Sequence, residues 1–286
     1  MSDVDPSVGY MREAVAVAID EDLGVLGDLT SQAVVPEAVL GTGRFVARQE
    51  GVLAGTLAAG EVYRQLDPDV TVTWRAQDGD AITAGHELGR VFGRMRSILS
   101  GERTALNFLC HLSGVATLTR KFVDAAGGRV RILDTRKTLP GLRALEKAAV
   151  RAGGGHNHRA SLSDALLIKD NHLAGLGIHK SVQAASDRWP GRTVEVECER
   201  PQQVGEAVEA GAGIVMLDNM TPAQVKKCVA MVRESSRPGV LIEVSGRVTL
   251  ETVAKYAAAG PDLISTSAIT QSAPALDLGL DVESEA

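Results

Sequence analysis

From about residue 129 the chain alternates short apolar runs with longer amphipathic stretches. The apolar runs are Val130–Asp134, Ala165–Lys169, Thr193–Cys198, Gly213–Leu217, Val240–Val244 and Asp262–Ser265. Between most of them lie stretches of helical length at 142–151, 175–188, 201–210, 221–234 and 249–259. Pro201 and Pro222 stand where two of these helices begin, a position at which the missing N–H removes no helical hydrogen bond. Buried strands alternating with helices predict a parallel sheet, and six or seven such units in about 145 residues predict an open α/β barrel.

Residues 30–97 read differently. Phe45–Ala47, Val52–Gly55, Val70–Trp74 and Leu88–Phe92 are short strand candidates separated by turn residues. Residues 102–126 then follow the helical period and stop at Gly127-Gly128. The expectation is an α/β protein with two parts. An N-terminal α+β domain of sandwich type covers 1–113, with the tail 271–286 packing back on it, and the barrel covers 114–270. The pattern Asp78–Val91 is similar to that of biotinyl and lipoyl carriers. Those carriers need a lysine at the hairpin tip, and none is here, so the pattern predicts a structural domain.

Barrels of this kind place their chemistry at the C-terminal ends of the strands. The residues predicted there are Asp134 to Lys137, Lys169 to His172, Glu197 to Glu199, Leu217 to Asn219, and Ser245-Gly246. Nearly all are polar. Charge is also concentrated in this part of the chain. Residues 129–172 hold nine Lys/Arg and four Asp/Glu, a net +5, so the remainder of this −6 chain carries −11. Such a local positive zone focuses small anions. Arg143, Lys147 and Arg151 read equally well as a solvated helix face.

Composition narrows the classes. Net charge −6 and 3% aromatic residues argue against a nucleic-acid partner. No apolar run reaches the ~18 residues of a membrane span. Cys110, Cys198 and Cys228 are too few and too scattered for a disulfide framework, so a reducing cytoplasm is expected.

Several groups suit anion chemistry. Arg136 offers a planar fork and Lys137 a point charge. Gly153–Gly155 lead into His156, Asn157, His158 and Arg159, where His158 and Arg159 suit an anion better than His156 and His158 suit zinc. Lys169 ends an apolar strand and suits either phosphate neutralisation or a Schiff base. Glu195 and Glu197 share a strand face, with Glu195 read as a structural partner for an Arg or Lys. Glu197 and Asp218 suit a substrate carrying Mg²⁺. Ser245-Gly246 before a helix, and the loop at Ser267, suit a phosphate.

In this order the motifs resemble the quinolinate phosphoribosyltransferases, also called nicotinate-nucleotide pyrophosphorylases (carboxylating). The matching pieces are Ala47–Gly51, Gly101–Asn107, Asp134–Thr138, Gly153–Arg159, Ile168–His172, Val194–Cys198, Met216–Asn219 and Glu243–Gly246, spread from about 20 to 275. The resemblance implies transfer of the phosphoribosyl group of 5-phosphoribosyl 1-pyrophosphate to quinolinate. Decarboxylation gives nicotinate mononucleotide, pyrophosphate and CO₂ in NAD biosynthesis, with Mg²⁺ as cofactor. It implies that Arg136, His158 and Arg159 hold the carboxylates, with Lys137 and Lys169 near the reacting groups and pyrophosphate. Glu197 and Asp218 attend the ribose and its Mg²⁺, through substrate or water. Ser245, Gly246 and Ser267 hold the 5-phosphate. Arg103 enters the site of a neighbouring subunit, which implies a homodimer, with larger assemblies left open. Arg247 follows Ser-Gly where the family often has a small residue, and Ser267 stands where it often has Gly. The adjacent acids and Thr/Gly phosphate loop of the common phosphoribosyltransferase fold are absent. Three alternatives remain open at this point: a relative acting on another carboxylate, including the paralogue of molybdenum transport operons; a Schiff-base aldolase using Lys169; and a non-catalytic anion binder.

Overall fold

The structure is a computed structural model and describes residues 6–173 and 175–284. In chain order its elements are α1 (Val8–Leu23), α2 (Leu29–Val34), β1 (Leu40–Ala47), β2 (Gly51–Val52), α3 (Thr56–Leu66), β3 (Thr71–Trp74), β4 (Ala81–Ile82), β5 (Glu87–Arg94) and α4 (Met95–Ala126). There follow β6 (Arg131–Leu133), α5 (Arg143–Ala152), β7 (Leu166–Ile168), α6 (Asp170–Leu173), α7 (Gly177–Arg188), β8 (Val194–Cys198), α8 (Pro201–Ala210), β9 (Ile214–Asp218) and α9 (Pro222–Arg233). The last are β10 (Leu241–Ser245), α10 (Leu250–Ala258), β11 (Leu263–Ser265), α11 (Ala268–Gln271) and β12 (Leu278–Ser284). None of the helices is long and apolar enough to cross a membrane.

Two compact units result. One comprises the residues up to Arg120, Thr138–Gly154 and those from Ile269 onward; the other comprises Lys121–Lys137 and Gly155–Ala268. The sequence expectation cut the chain at 113/114 and returned the tail from 271 to the first domain; the units also interleave at Thr138–Gly154. Residues 138–154 lie between two barrel strands in sequence but belong to the first unit, because α5 packs against α1. Its Lys147 is buried, so that part of the helix is not the solvated face that its charge suggested.

The first unit contains an antiparallel sheet in the order β12-β1-β5-β3 and a two-stranded sheet of β2 and β4. β12, from the tail, pairs with β1 from Gly41↔Ser284 to Ala47↔Leu278. Alternate residues of β1 are buried, as a half-covered strand requires. Phe45 stacks on Trp74 at 4.9 Å and meets Tyr63 of α3 edge-on at 6.3 Å. The predicted strand Val52–Gly55 stops after Val52, because Gly55 is the N-cap of α3, in the left-handed region at φ 96°. Asp78 holds this helix start. Its carboxylate accepts from Gly55 N–H at 2.8 Å and Thr56 N–H at 3.1 Å. The carrier-like pattern thus begins with a structural cap.

Helix α4 starts at Met95, seven residues before the expected 102. Ser100-Gly101 reads as a break, but Gly101 is there for close packing. A Cβ on it would stand 2.7 Å from Tyr63 Cε1.

The second unit is built on six parallel strands in the order β6-β11-β10-β9-β8-β7. Pairing does not close between β6 and β7 among the described residues, which makes this the open barrel. On the outer side of β6 a single parallel bridge joins Leu133 to His156. Helix starts are fixed by side chains. Gln224 Oε1 accepts from Thr221 N–H at 2.9 Å ahead of α9, and Thr252 Oγ1 accepts from Thr249 N–H at 2.9 Å ahead of α10.

Replacing Gly101 by Val should destabilise the first unit by about 1–3 kcal/mol, since the added methyls overpack Tyr63. Urea unfolding measures this; an unchanged midpoint rejects the close-packing account.

Candidate active site

Register decides which side chains meet inside the barrel. Glu197 of β8 pairs with Met216 of β9, and Met216 with Glu243 of β10. One step further along, Asp218 pairs with Ser245, while Ser265 of β11 pairs with Leu133 of β6. Residues two apart on a strand share a face. Leu167, Lys169, Glu197, Met216, Asp218, Ser245 and Ser265 therefore turn inward, and all line one cleft of about 540 Å³ at the C-terminal strand ends. Thr135, Arg136, Lys137, His158, Arg159, Asn219, Gly246 and Arg247 complete it. Of the residues expected from sequence, the second unit brings Arg136, Lys137, His158, Arg159, Lys169, Glu197, Asp218, Ser245 and Gly246 together. Ser267 is not among the lining residues, and Arg103 is an exposed residue of α4 in the first unit.

The cleft has a cationic side and an acidic side. Burial, and then the charge of Arg136, pull the Arg159 guanidinium below its ordinary value, which still leaves it charged at neutral pH. Two guanidinium groups that repel each other gain from an anion placed against both. Arg159 Nη1 donates to Ala165 O at 3.1 Å, which fixes the guanidinium. Opposite them, the Lys169 ammonium rests on the Glu197 carboxylate. That is a salt bridge and not the apolar slot in which a Schiff-base lysine loses its charge. Asp218 Oδ2 accepts from Asn219 Nδ2 at 2.6 Å.

The backbone around Ser245 is strained in a way that shapes the cleft. Asn219 and Arg247 adopt positive φ, 54° and 53°. Between strands β9 and β10, Asn219 N–H donates to Ser245 O at 3.0 Å. Gly246 has φ +87°, and a Cβ there would lie 2.5 Å from Asn219 Oδ1. Only glycine fits. Arg247 therefore stands beside this glycine at a conformational cost of its own.

His158 is the residue whose surroundings the sequence least revealed. Its segment is stitched to β6 by Asp134, which is fully buried. Asp134 accepts from His158 N–H at 2.9 Å and from Asn157 Nδ2 at 2.6 Å. The imidazole Nε2 lies 3.2 Å from Glu195 Oε2 and 3.5 Å from Glu243 Oε2. Glu195 thus has a histidine as partner where an Arg or Lys was expected, and it shares that histidine with Glu243, to which no role was given. Burial lowers the His158 pKa, but the hydrogen bond to Glu195, the close Glu243 carboxylate and the charges of both outweigh it and push the pKa up to about 10. Burial first, and then the charge of Glu243, raise that of Glu195. One contact opposes an imidazolium: Arg159 N–H approaches Nδ1 at 2.8 Å, which needs a bare nitrogen there. Two carboxylates form the stronger field, so we assign the charged ring and expect the Arg159 contact to relax. His156, the other half of the zinc alternative, is exposed and lies outside this cluster.

A second cavity, of about 560 Å³, lies in the first unit among Tyr10, Val17, Phe108, Glu13, Glu21 and Asp22. Its lining includes no Lys or Arg, so it does not suit an anion.

Comparison with known proteins agrees with this geometry over the whole chain. Sequence models of the quinolinate phosphoribosyl transferase N-terminal and C-terminal domains match residues 28–113 and 115–281. The chain belongs to the quinolinate phosphoribosyltransferase family. It is 41% identical to the nicotinate-nucleotide pyrophosphorylase [carboxylating] of Mycobacterium leprae, over 95% of this chain and 96% of that protein. A probable nicotinate-nucleotide pyrophosphorylase [carboxylating] of Bacillus subtilis is 40% identical over 92% and 90%. Among solved structures, the nicotinate-nucleotide pyrophosphorylase of Francisella tularensis superimposes with a TM-score of 0.90 at 38% identity, covering 98% of each chain.

The His158 assignment predicts a pH dependence. The folded pKa lies above the unfolded value of about 6.5, so the ring's contribution is fully present below that pH. It is lost progressively as pH rises towards about 10. The stability difference between the native chain and H158N should therefore shrink across that window. Urea midpoints measured at intervals test it, and a constant difference contradicts a charged ring.

Proposed function

We propose that this chain transfers the phosphoribosyl group of 5-phosphoribosyl 1-pyrophosphate to quinolinate and releases pyrophosphate and CO₂, giving nicotinate mononucleotide for NAD biosynthesis. The observation that carries this reading is the two-sided cleft: Arg136 and Arg159 face the same space as Glu197 and Asp218. Quinolinate brings two carboxylates and the donor brings a phosphate and a pyrophosphate, so cations are needed for both. The sugar carbon develops positive charge as pyrophosphate leaves, so carboxylates are needed as well.

The residues divide the work accordingly. Arg136, His158 and Arg159 bind the quinolinate carboxylates, where charge-assisted and forked hydrogen bonds are strongest. Lys137 and Lys169 sit by the leaving pyrophosphate and the reacting centre. Lys169 must leave Glu197 to do so, which frees that carboxylate for the ribose. Backbone N–H groups at Ser245 and Gly246 take the 5-phosphate, in a turn that Gly246 lets pack closely against Asn219. Ser267 supports the same phosphate from the β11 loop.

Mg²⁺ fits the acidic side. Glu197 and Asp218 offer the oxygen atoms it prefers, yet each is already engaged by a protein donor, Lys169 or Asn219. They suit an ion held partly through water and substrate oxygens. When bound, it neutralises the pyrophosphate as that group departs.

The same reading makes the working unit a homodimer, with Arg103 of one subunit completing the site of the next. It also places the protein in the cytoplasm, in keeping with its three free cysteines.

Purified protein given quinolinate and the phosphoribosyl donor should release CO₂ and pyrophosphate in equal amounts, and chelating Mg²⁺ should stop it. A well-folded protein that turns over neither substrate rejects the proposal. Lys169→Ala should lower kcat/KM by about 100-fold or more. Arg103→Ala and Lys169→Ala chains, each inactive alone, should regain about a quarter of native activity when mixed, since half of the dimers then hold one intact site. Heterodimers that form without regaining activity exclude the shared site.

A further inference from the structure

Two acidic residues beneath the cleft have no part in the reaction described above. Glu195 and Glu243 are 3% and 1% exposed, and neither lines the cleft. They stand on β8 and β10, with β9 between those strands. Their carboxylates nevertheless converge on one atom, Nε2 of His158, at 3.2 Å and 3.5 Å. Neither carboxylate oxygen of Glu243 has a hydrogen-bond donor among the described residues. A buried carboxylate in that state is costly, and its ion pair with the imidazole is the compensation the structure offers. Sheet packing does not explain it, since an apolar residue would fill the same inward position at no such cost.

We propose that Glu195 and Glu243 are positioning residues for the quinolinate subsite. They grip Nε2 of His158 from below, hold the ring in one orientation, and so set the His158–Arg159 corner that meets a substrate carboxylate. One carboxylate would restrain the ring from one side and leave it free to swing. Two, delivered by different strands, fix it against rotation. The backbone of the same segment is fixed independently by Asp134, through His158 N–H and the Asn157 amide. The corner is thus pinned below by β8 and β10 and at its side by the residue that follows β6. The proposal rests on the quinolinate reading. Its competitor is a divalent metal at the same place, because one ligand atom from each of His158, Glu195 and Glu243 lie within 4.8 Å of one another.

The test compares Glu195→Gln, Glu243→Gln, His158→Asn and the double variant His158→Asn/Glu243→Gln with the native chain. Quinolinate affinity is read by calorimetry, and KM for each substrate and kcat by assay. Each Gln variant should weaken quinolinate about 5- to 20-fold and leave KM for the phosphoribosyl donor within about twofold and kcat within about threefold. The double variant should be no weaker for quinolinate than His158→Asn alone, since Glu243 acts through the ring. It also removes the imidazolium and Glu243 together, leaving Glu195 as the one carboxylate of the cluster, and provides a second comparison if Glu243→Gln does not fold. Unchanged quinolinate affinity in a folded variant overturns the proposal. So do equal losses for both substrates, additive losses in the double variant, or stoichiometric metal that survives chelation in the native chain and is lost in Glu243→Gln. If the native chain binds quinolinate but does not turn it over, the functional reading fails while calorimetry still decides this one. If it does not bind quinolinate at all, both fail.

Discussion

Carboxylates inside a barrel repel one another and lose their water, and this barrel carries four of them on its inward faces. Glu195, Glu197, Asp218 and Glu243 come from three adjacent strands. Such a set is stable only if each acid is given a donor, a cation or a proton. His158 serves Glu195 and Glu243, Lys169 serves Glu197, and Asn219 serves Asp218. Much of what is particular about the site follows from this requirement. The segment 156–159 must be brought in beside β6 to deliver the histidine, which is why Asp134 is buried and spent on its backbone. The shift in Glu195 has the same origin, since burial beside Glu243 favours the protonated acid there.

The positioning of the upper layer depends on backbone, where the lower layer depends on charge. Asn219 and Arg247 both sit at positive φ, and Gly246 between them in space tolerates no Cβ. The hydrogen bond from Asn219 N–H to Ser245 O ties the ends of β9 and β10 together and brings these turns close. Left-handed residues that are not glycine cost energy and persist where the surroundings hold them. Here they bring Asn219 and Arg247 to the cleft beside Ser245. Arg247 is accommodated after Ser-Gly because its backbone continues the turn at positive φ, and it too lines the cleft.

Much of this was legible in the sequence because it follows from alternation. Six apolar runs, most of them ending in or followed by a polar residue, pointed to the parallel strands and put Lys169, Glu197, Asp218 and Ser245 at or near their ends. Charge density pointed to the same segment. Other features could not be read so simply. Helix α1 buries only Met11 and Val15 on an otherwise mixed surface, so its period is faint. Gly101 looks like a helix break, because a glycine needed for contact with Tyr63 and one needed for a turn are the same letter. Glu243 lies in a run that looks entirely apolar around it, and nothing local shows that its partner is 85 residues earlier. Register supplies that pairing. The Glu197–Met216–Glu243 row, with Glu195 two residues earlier on the same face of β8, depends on how three strands align, and a sequence pattern fixes the face of a strand but not its offset from a neighbour.

The contacts in the cleft also bear on how it exchanges ligands. Lys169 and Glu197 satisfy each other in the structure, although the proposed reaction would have them serve a pyrophosphate and a ribose separately. The pair neutralises itself on one side of the cleft. Lys169 is 42% exposed, so water shares its charge and the bridge is weaker than its closeness suggests. A donor that brings an anion for the lysine and a hydroxyl-bearing sugar for the carboxylate replaces one salt bridge by two better-matched contacts. His158 has no comparable freedom. Its bridge lies below the cleft and is shielded from water, with the two carboxylates almost fully buried. The site therefore combines a fixed floor with an exchangeable wall, and the difference between them is set by how much water reaches each pair.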